Sequence, residues 1–325
     1  SSASPMRMRW PACTPSASPK PGGVNTRMVE PCSNQPISSP LRSGASQAIA
    51  FGPRYFRCSS TSKKCRRMLA TSIAATGTNN VDLAAATAQG IQVCNVQDYA
   101  LGAVPQHAMA LLLALNNQIW QQQQAVLSGK WSQSPVFCLH QQPVQSLQGK
   151  IFTVVGYGGL GQATAQLAKA FGMQICLSER PDASTIRPGR VAFREALAKA
   201  DVVSLHCPAQ ANMPPLLGSE QLSWLKPNAL LINTARGALI DEAALLLALQ
   251  QGRLAGAALD VLTQEPPPAD HPFLTGALPN LLLSPHIAWA TTETIQKLQH
   301  HLTANILAKI AGSPVPTRNM IVSSR

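Results

Sequence analysis

The chain has 325 residues, of which 45% are hydrophobic and 12% are charged, and this apolar content excludes a chain that is disordered throughout. The longest uncharged apolar run, 108–115, is far too short to span a bilayer, and there is no signal-peptide pattern, so neither a membrane protein nor a secreted one is expected. The net charge of +12 is concentrated in residues 1–66, which hold ten Lys and Arg residues and one acid. The remainder is close to balanced, so no nucleic-acid partner is expected.

Residues 1–66 differ in composition from the rest of the chain. They contain thirteen Ser and nine Pro residues, and no helix or strand periodicity in them lasts more than a few residues. Pro11, Pro15, Pro19 and Pro21 would break the amphipathic helix that an organelle transit peptide needs. We therefore expect this segment to be disordered or translated out of frame, and the missing initiating Met predicts a fragment or a processed chain.

The eight cysteines show no pattern of a metal site. No two have CxxC spacing, and none has a histidine at zinc-finger spacing. This is typical of reduced thiols, so we predict a cytoplasmic protein without a structural metal. No site is assigned to the remaining scattered histidines, which are His107, His140, His271, His300 and His301.

Ordered patterning begins near residue 68 and becomes regular after residue 150. The first predicted elements are a strand, a turn, a short helix, a second strand, a buried helix and a Gln-rich helix, at 69–75, 76–79, 81–89, 91–95, 103–115 and 118–127. Strands then follow at 151–155, 174–177, 202–205, 229–232, 255–259 and 281–283. Helices are predicted at 160–171, 193–199, 218–225, 241–251 and 291–311. This alternation predicts an α/β fold with a doubly wound parallel sheet that is covered on both faces.

The first strand of the regular part ends in a GxGxxG loop that opens a helix. Gly156 would allow the tight turn, Gly158 would leave room for a pyrophosphate, and Gly161 would let the helix pack closely on the strand. Glu179 ends the next predicted strand, where an acid binds the adenosine ribose and repels a 2′-phosphate. Arg180 could instead accommodate that phosphate. The loop predicts a dinucleotide site, with NAD favoured over NADP.

Three polar residues that follow later strands suit the reduction of a 2-oxo acid. Arg236 could hold the carboxylate bidentately and polarise the carbonyl. His286 could protonate the developing alkoxide, and Glu265 could orient the imidazole and favour its charged form. Each residue alone has a simpler structural explanation, such as a helix cap, an exposed acid or a turn histidine. Their joint occurrence at strand ends favours a catalytic site.

Five stretches of the sequence resemble the D-2-hydroxyacid dehydrogenase family, and most of all its glycerate dehydrogenase (hydroxypyruvate reductase) branch. They are AATGTNNVD at 74–82, VVGYGGLG at 154–161, NTARG at 233–237, ALDVLTQEPP at 258–267 and SPHIAWAT at 284–291. The resemblance implies a Rossmann-type NAD-binding domain at 99–286, inserted into a smaller flavodoxin-like substrate domain. That substrate domain would be incomplete, at 67–98 and 287–325, because 1–66 is unassigned and resembles no part of the family. A homodimer paired through the cofactor domain is also implied.

The resemblance further implies the roles of individual residues. It gives Arg236, Glu265 and His286 as the catalytic set, and backbone N–H groups at Thr76 and Gly77 as further substrate contacts. Asp260 would hold the nicotinamide amide. The other implied cofactor-binding residues are Gly156, Tyr157, Gly158, Gly159, Leu160, Gly161, Glu179, His206, Cys207, Pro208, Thr234 and Ala235.

The resulting hypothesis is NAD-dependent hydride transfer between NADH and a small 2-oxo acid such as hydroxypyruvate or glyoxylate, giving D-glycerate or glycolate. Formate dehydrogenase is a relative in which glutamine replaces the glutamate of the trio, so Glu265 speaks against it. Two alternatives stay open. One is a dinucleotide-sensing binding protein of the co-repressor type, and the other is an inactive truncated product of a dehydrogenase gene.

Overall fold

The computed structural model describes residues 70–78, 81–140, 144–209, 213–276, 278–315 and 320–322. The prediction for residues 1–66 lies outside the described residues. No helix in the described ranges is long and apolar enough to cross a bilayer.

Most of the described secondary structure alternates between strand and helix, as the sequence predicts. The strands are β1 (Ala70–Ser72), β2 (Gln92–Cys94), β3 (Ile151–Val155), β4 (Gln174–Leu177), β5 (Val202–Leu205), β6 (Leu230–Asn233), β7 (Gly256–Leu259), β8 (Leu281–Leu283) and β9 (Met320–Val322). The helices are α1 (Leu83–Ala88), α2 (Ala103–Asn116), α3 (Ile119–Leu127), α4 (Gly159–Ala170), α5 (Phe193–Lys199), α6 (Ser219–Ser223), α7 (Glu242–Gln250), α8 (Pro272–Thr275) and α9 (Thr292–Ile310). A 3-10 turn at Gly237–Leu239, together with α8 and β9, was not predicted.

A six-stranded parallel sheet carries the phosphate loop. Its strand order is β4-β3-β5-β6-β7-β8. A single parallel bridge between Ser178 and Val191 extends the sheet beyond β4, which gives the doubly wound arrangement of a Rossmann-type domain. The direction of winding reverses between β3 and β5, and open α/β sheets bind their ligands at such a point. The predicted α/β fold class is confirmed.

Helices cover both faces of this sheet because its strands are apolar on both sides. On one face, α2 and α4 bury Leu112 and Ala168 against Phe152 and Val154 of β3. On the other face, helices α5 to α7 build a second core cluster that includes Leu197, Leu222, Leu231 and Leu245. Strands that are buried on both faces read as continuous apolar runs, as β7 does here, and β5 departs from this only at the buried Ser204.

A smaller sheet is formed by the segments on either side of the parallel sheet in sequence. Strand β1 pairs with β2 in parallel, and β9 pairs with β2 in antiparallel orientation. Ile73, Ala86, Ile91 and Val93 form its core. The sheet lies in the two segments assigned to the substrate domain, and the boundaries of that domain stay a prediction.

Candidate active site

The carboxyl ends of the parallel strands bring the predicted site residues to one edge of the sheet. The loops that follow β3, β5, β6, β7 and β8 carry the glycine loop, His206 to Pro208, Thr234 to Arg236, Asp260 and His286. Parallel strands end at the same edge, so these loops are neighbours although they are far apart in sequence.

The glycine loop has the backbone geometry that the sequence predicts. Gly156 has φ +93°, and a Cβ on it would lie 2.6 Å from the backbone nitrogen of Cys207. A Cβ on Gly161 would collide with the carbonyl oxygen of Gly156, which is why α4 packs so closely on the loop. Gly158 differs from both, because a Cβ there would have no protein atom within 4 Å. The first and third glycines are therefore required by the protein's own packing, and the second leaves open space.

Two further observations fit a dinucleotide at this loop. Helix α4 starts at Gly159 without a side-chain cap, so its first N–H groups are available to an anion. The Thr234 hydroxyl, which follows β6, is buried and has no hydrogen-bond partner within the described residues. A buried hydroxyl without a partner and an uncapped helix start, both at the carboxyl edge of the sheet, indicate polar groups supplied by a ligand.

We expect the two substitutions Gly158→Ala and Gly156→Ala to separate ligand binding from folding. Gly158→Ala should leave the melting temperature unchanged and weaken NADH binding at least ~10-fold, because its Cβ fills the space left for the pyrophosphate. Gly156→Ala should instead lower the melting temperature for two reasons. Its Cβ would collide with the 206–207 backbone, and residue 156 has a positive φ that alanine adopts only with strain. Thermal unfolding and NADH fluorescence titration measure the two effects. Equal stability losses in both variants would contradict this division.

Glu179 lies two residues after the end of β4, and its carboxylate already accepts hydrogen bonds from the chain itself. The side chain is 1% exposed. Oε1 accepts from the Arg180 backbone N–H and from Arg187 Nη2, and Oε2 accepts from Arg187 Nε at 2.7 Å and from the Arg187 backbone N–H at 3.3 Å. The Arg187 side chain and the Arg180 N–H lower the pKa of Glu179 to about 2. Ribose binding by Glu179 stays a prediction, and Arg187 adds positive charge beside it.

This ion pair predicts a pH dependence of stability. The folded-state pKa of about 2 lies below the ordinary value of 4.5, so Glu179 contributes stability above pH 4.5 that is lost as the pH falls towards 2. Glu179→Gln should therefore lower the melting temperature at pH 7, and this effect should shrink as the pH falls from 4.5 through about 2. Melting curves across this range measure the difference. The matched control is Glu293→Gln, at an exposed glutamate of α9. Its melting temperature should change with pH in the same way as that of the wild type.

His286 and Glu265 meet at the carboxyl edge although 21 residues separate them. His286 Nδ1 lies 2.7 Å from Glu265 Oε2, and the Leu262 N–H donates to Glu265 Oε1 at 2.9 Å. Burial acts to raise the pKa of Glu265, but the hydrogen bonds from His286 and Leu262 outweigh it and hold the pKa below its ordinary value. The positive charge of Arg236 acts in the same direction. Glu265 is therefore ionised at neutral pH, and Nε2 is the imidazole nitrogen left free to carry a proton to a substrate.

Arg236 is presented by a short loop that the buried Asn233 folds. The Asn233 amide donates to the carbonyl of Arg236 at 2.8 Å and accepts from the Ala235 N–H at 3.0 Å. The guanidinium of Arg236 donates to its neighbour's carbonyl at Ala235, and the side chain is partly exposed. A cation that acts on Glu265, the partner of the imidazole, and still has donors to offer can hold a carboxylate and polarise a carbonyl.

Asp260 is buried, and its oxygens hold the loop that carries His286. They accept from the Ser284 hydroxyl and from the N–H groups of Ile287 and Ala288, and His107 Nε2 lies 3.4 Å away. Burial acts to raise the pKa of Asp260, but these hydrogen bonds keep it below its ordinary value. His286 itself has φ +53°, so this network fixes an unusual backbone position. The nicotinamide contact inferred for Asp260 stays a prediction.

The other predicted ligand-binding residues lie after strands of the two sheets or at the start of α4. Burial lowers the pKa of His206 to about 4, and its ring bonds to Ser204 instead of a charge partner. Thr76 lies on the loop after β1, where its hydroxyl donates to the Val96 carbonyl. Tyr157, Gly159 and Leu160 lie on the glycine loop and the start of α4, and Cys207 and Pro208 lie beyond β5. Gly77 follows Thr76 directly, and its role in holding a carboxylate stays a prediction.

Sequence reasoning missed the residues that support these side chains. Gly237 lies under the 262–263 peptide, and Glu242 accepts a hydrogen bond from the Thr263 N–H at 2.7 Å. His271, to which no site was assigned, bonds to Glu242 at 3.2 Å. A glutamate just inside a helix start gave no usable signal, because the same pattern serves the helix dipole alone.

Comparison with known proteins agrees with this arrangement. Residues 109–288 match the family described as D-isomer specific 2-hydroxyacid dehydrogenase, NAD binding domain. The chain belongs to this family. It is 42% identical to a glycerate dehydrogenase of Methylorubrum extorquens over 244 residues, which is 74% of this chain and 76% of the relative. It is 35% identical to a hydroxypyruvate reductase of Blautia hydrogenotrophica, over 79% of this chain and 80% of that one.

Solved structures share the fold. The 2-hydroxyacid dehydrogenase of Ketogulonicigenium vulgare Y25 superposes with a TM-score of 0.70 at 32% identity, and the match covers 80% of each chain. The TT0316 protein of Thermus thermophilus superposes with a TM-score of 0.70 at 36% identity, and the match covers 78% of each chain. The predicted family, its oxidoreductase class and its NAD-binding domain are confirmed.

Proposed function

We propose that this dehydrogenase reduces hydroxypyruvate or glyoxylate with NADH, giving D-glycerate or glycolate. The 2.7 Å contact between His286 and Glu265, on which the positive charge of Arg236 also acts, carries the proposal. The names of the relatives, glycerate dehydrogenase and hydroxypyruvate reductase, support the substrate class.

The chain's own residues supply binding and proton transfer. Arg236 holds the substrate carboxylate and draws electron density from the carbonyl oxygen. The glycine loop and the start of α4 would hold NADH, which when bound would provide the hydride for the carbonyl carbon. His286 Nε2 donates its proton to the carbonyl oxygen, which becomes the hydroxyl, and ionised Glu265 stabilises the imidazolium before transfer. In the oxidative direction His286 takes the proton back as general base.

NADH is the proposed cofactor, supported by the buried carboxylate of Glu179 at the end of β4. Arg187 beside it supplies a positive charge that would ease the entry of a 2′-phosphate. Fluorescence titration with NADH and with NADPH measures this choice directly, and tighter binding of NADPH would overturn it. The proposed compartment is the cytoplasm, supported by the free thiols of Cys94, Cys138, Cys176 and Cys207.

The proposed activity is tested by mixing the purified chain with NADH and each 2-oxo acid. Absorbance at 340 nm reports NADH oxidation, and chiral analysis of the product reports whether the D-isomer forms. Oxidation that depends on hydroxypyruvate or glyoxylate supports the proposal. NADH binding with no oxidation would contradict it and would favour the inactive or sensing alternatives.

We also propose that the chain forms a homodimer through its cofactor domain. The segment 119–137 presents apolar side chains to solvent, with Phe137 91%, Leu127 70% and Trp120 65% exposed. The segment is held in a compact turn by its own bonds, including Trp131 Nε1 to the Phe137 carbonyl at 2.9 Å. An ordered apolar surface of this kind is typical of an interface.

We expect sedimentation equilibrium to give twice the 34.5 kDa mass of one chain. The double substitution Leu127→Asp with Phe137→Asp should give the mass of a single chain, because charges are depleted in the core of an interface. The matched control Leu247→Asp, at a half-exposed leucine of α7, should leave the dimer intact. A wild-type chain that sediments as a monomer would contradict the dimer.

A further inference from the structure

We propose that Gly237, Glu242 and His271 form a clamp that positions Glu265 against His286. The proposal rests on the proposed function, because it concerns how that site is held in its working geometry. No residue of the clamp was singled out for the reaction above.

The clamp grips the peptide between Leu262 and Thr263. Glu242 Oε1 accepts the Thr263 N–H at 2.7 Å, so the peptide is fixed from the side of α7. Gly237 lies against the same peptide so closely that a Cβ would collide with the backbone of Leu262 and Thr263. One peptide group is therefore held by a hydrogen bond to Glu242 and by close packing against Gly237. Both residues belong to the segment that begins at Arg236.

The gripped peptide determines where the Glu265 carboxylate lies. The N–H of Leu262, immediately before this peptide, donates to Glu265 Oε1 at 2.9 Å, and the other oxygen reaches His286 Nδ1. Both oxygens of Glu265 therefore have fixed partners. If the 262–263 peptide moves, the Leu262 N–H moves with it and the carboxylate loses one of its two supports. A shift of ~1 Å in such a support is enough to lower a catalytic rate ~100-fold.

His271 holds Glu242 in this position. Its Nδ1 accepts from the Phe273 N–H at 3.2 Å, so in the neutral ring the proton lies on Nε2, which donates to Glu242 Oε2 at 3.2 Å. The side chains of His271 and Glu242 are 10% and 21% exposed, so water competes little for these bonds. Glu242 lies at the first position of α7, where its charge could have served the helix end alone. Instead its side chain reaches the loop after β7, where it bonds to the Thr263 N–H.

The test compares Glu242→Ala with Glu242→Gln and with the control Glu195→Ala. Glu195 is also a first-turn glutamate, on α5, and within the described residues its ion pair is with Lys199. We expect Glu242→Ala to lower kcat ~10–100-fold with the KM for NADH unchanged, because the loss lies in positioning and not in cofactor binding. Glu242→Gln keeps an acceptor for the Thr263 N–H and should restore at least half of the wild-type kcat. Glu195→Ala should retain full activity.

A spectroscopic readout separates this proposal from the proposed function. In 15N-histidine-labelled protein, the Nδ1–H of His286 should give a strongly deshielded proton signal, assigned by its loss in His286→Gln. That signal should weaken or broaden in Glu242→Ala and persist in Glu242→Gln, whether or not the chain turns substrate over. If Glu242→Ala does not fold, His271→Ala is measured instead. We expect it to lower kcat and to weaken the His286 signal, each by less than Glu242→Ala would. An unchanged signal and kcat in Glu242→Ala, or a loss in Glu242→Gln as large as in Glu242→Ala, would overturn the clamp.

Discussion

His286→Ala is expected to lower kcat for hydroxypyruvate reduction ~10²–10⁴-fold while the dissociation constant of NADH stays unchanged. The size follows from the contribution of a positioned general acid, because water would have to supply the proton that His286 Nε2 gives. The imidazole contacts Glu265 through Nδ1, and the backbone that follows His286 is held by Asp260, so the chain itself positions the ring. Cofactor binding should therefore survive its removal. Stopped-flow reduction and NADH fluorescence measure the two quantities.

The matched control for this substitution is His300→Ala, at an exposed histidine of α9. It should retain full activity, which shows that loss of a histidine as such does not slow the reaction. An active His286→Ala protein would remove the proton-transfer role from His286. Loss of NADH binding in the same variant would instead give His286 a role in holding the cofactor.

The local parts of the site were predictable because their causes lie within a few residues. The glycine spacing at 156–161 prescribes a turn and a helix start, and the structure has both, with the positive φ at Gly156. The strand ends were predictable for a similar reason, since an apolar run that stops at a polar residue marks the edge of a sheet. The strands at 151–155, 174–177 and 202–205 were predicted to the residue.

The unpredicted parts depend on side-chain contacts between distant segments. Glu242 and His271 are 29 residues apart, and nothing in either local sequence indicates that one supports the other. Gly237 has no room for a side chain because the peptide after Leu262, 25 residues later in the chain, packs against it. The sequence alone does not reveal this contact. Glu179 gives a further example, because its carboxylate bonds to Arg187 from the irregular stretch after β4, and the sequence did not indicate that contact. Its role in binding a ribose stays a prediction.

The catalytic groups also show how the fold joins distant sequence. Arg236 follows β6, Glu265 follows β7 and His286 follows β8, and these three strands are neighbours in the sheet. Adjacent parallel strands thus deliver a cation, a carboxylate and an imidazole to one edge. The order of the strands in the sheet, rather than any single motif, is what makes the trio a site.

Arg236→Gln is expected to lower kcat/KM for hydroxypyruvate ~10²–10³-fold, with contributions from both kcat and KM. Glutamine keeps one donor but loses the charge and the planar fork that suit a carboxylate and a polarised carbonyl. Arg236→Lys should recover only part of the loss, because an ammonium is a point charge without bidentate geometry. NADH binding should be unchanged, since the substrate contact and not the cofactor contact is lost. Steady-state kinetics and fluorescence titration measure these effects.

A substrate without a carboxylate makes this prediction specific. Wild-type protein should prefer hydroxypyruvate strongly over hydroxyacetone, which has a methyl group in place of the carboxylate, and Arg236→Gln should abolish most of that preference. The matched control Arg253→Gln, at an exposed arginine after α7, should keep the preference intact. If Arg236→Gln slowed both substrates equally, the guanidinium would act on the carbonyl alone. The carboxylate would then be held elsewhere, and the backbone N–H groups of Thr76 and Gly77 would be the first groups to examine.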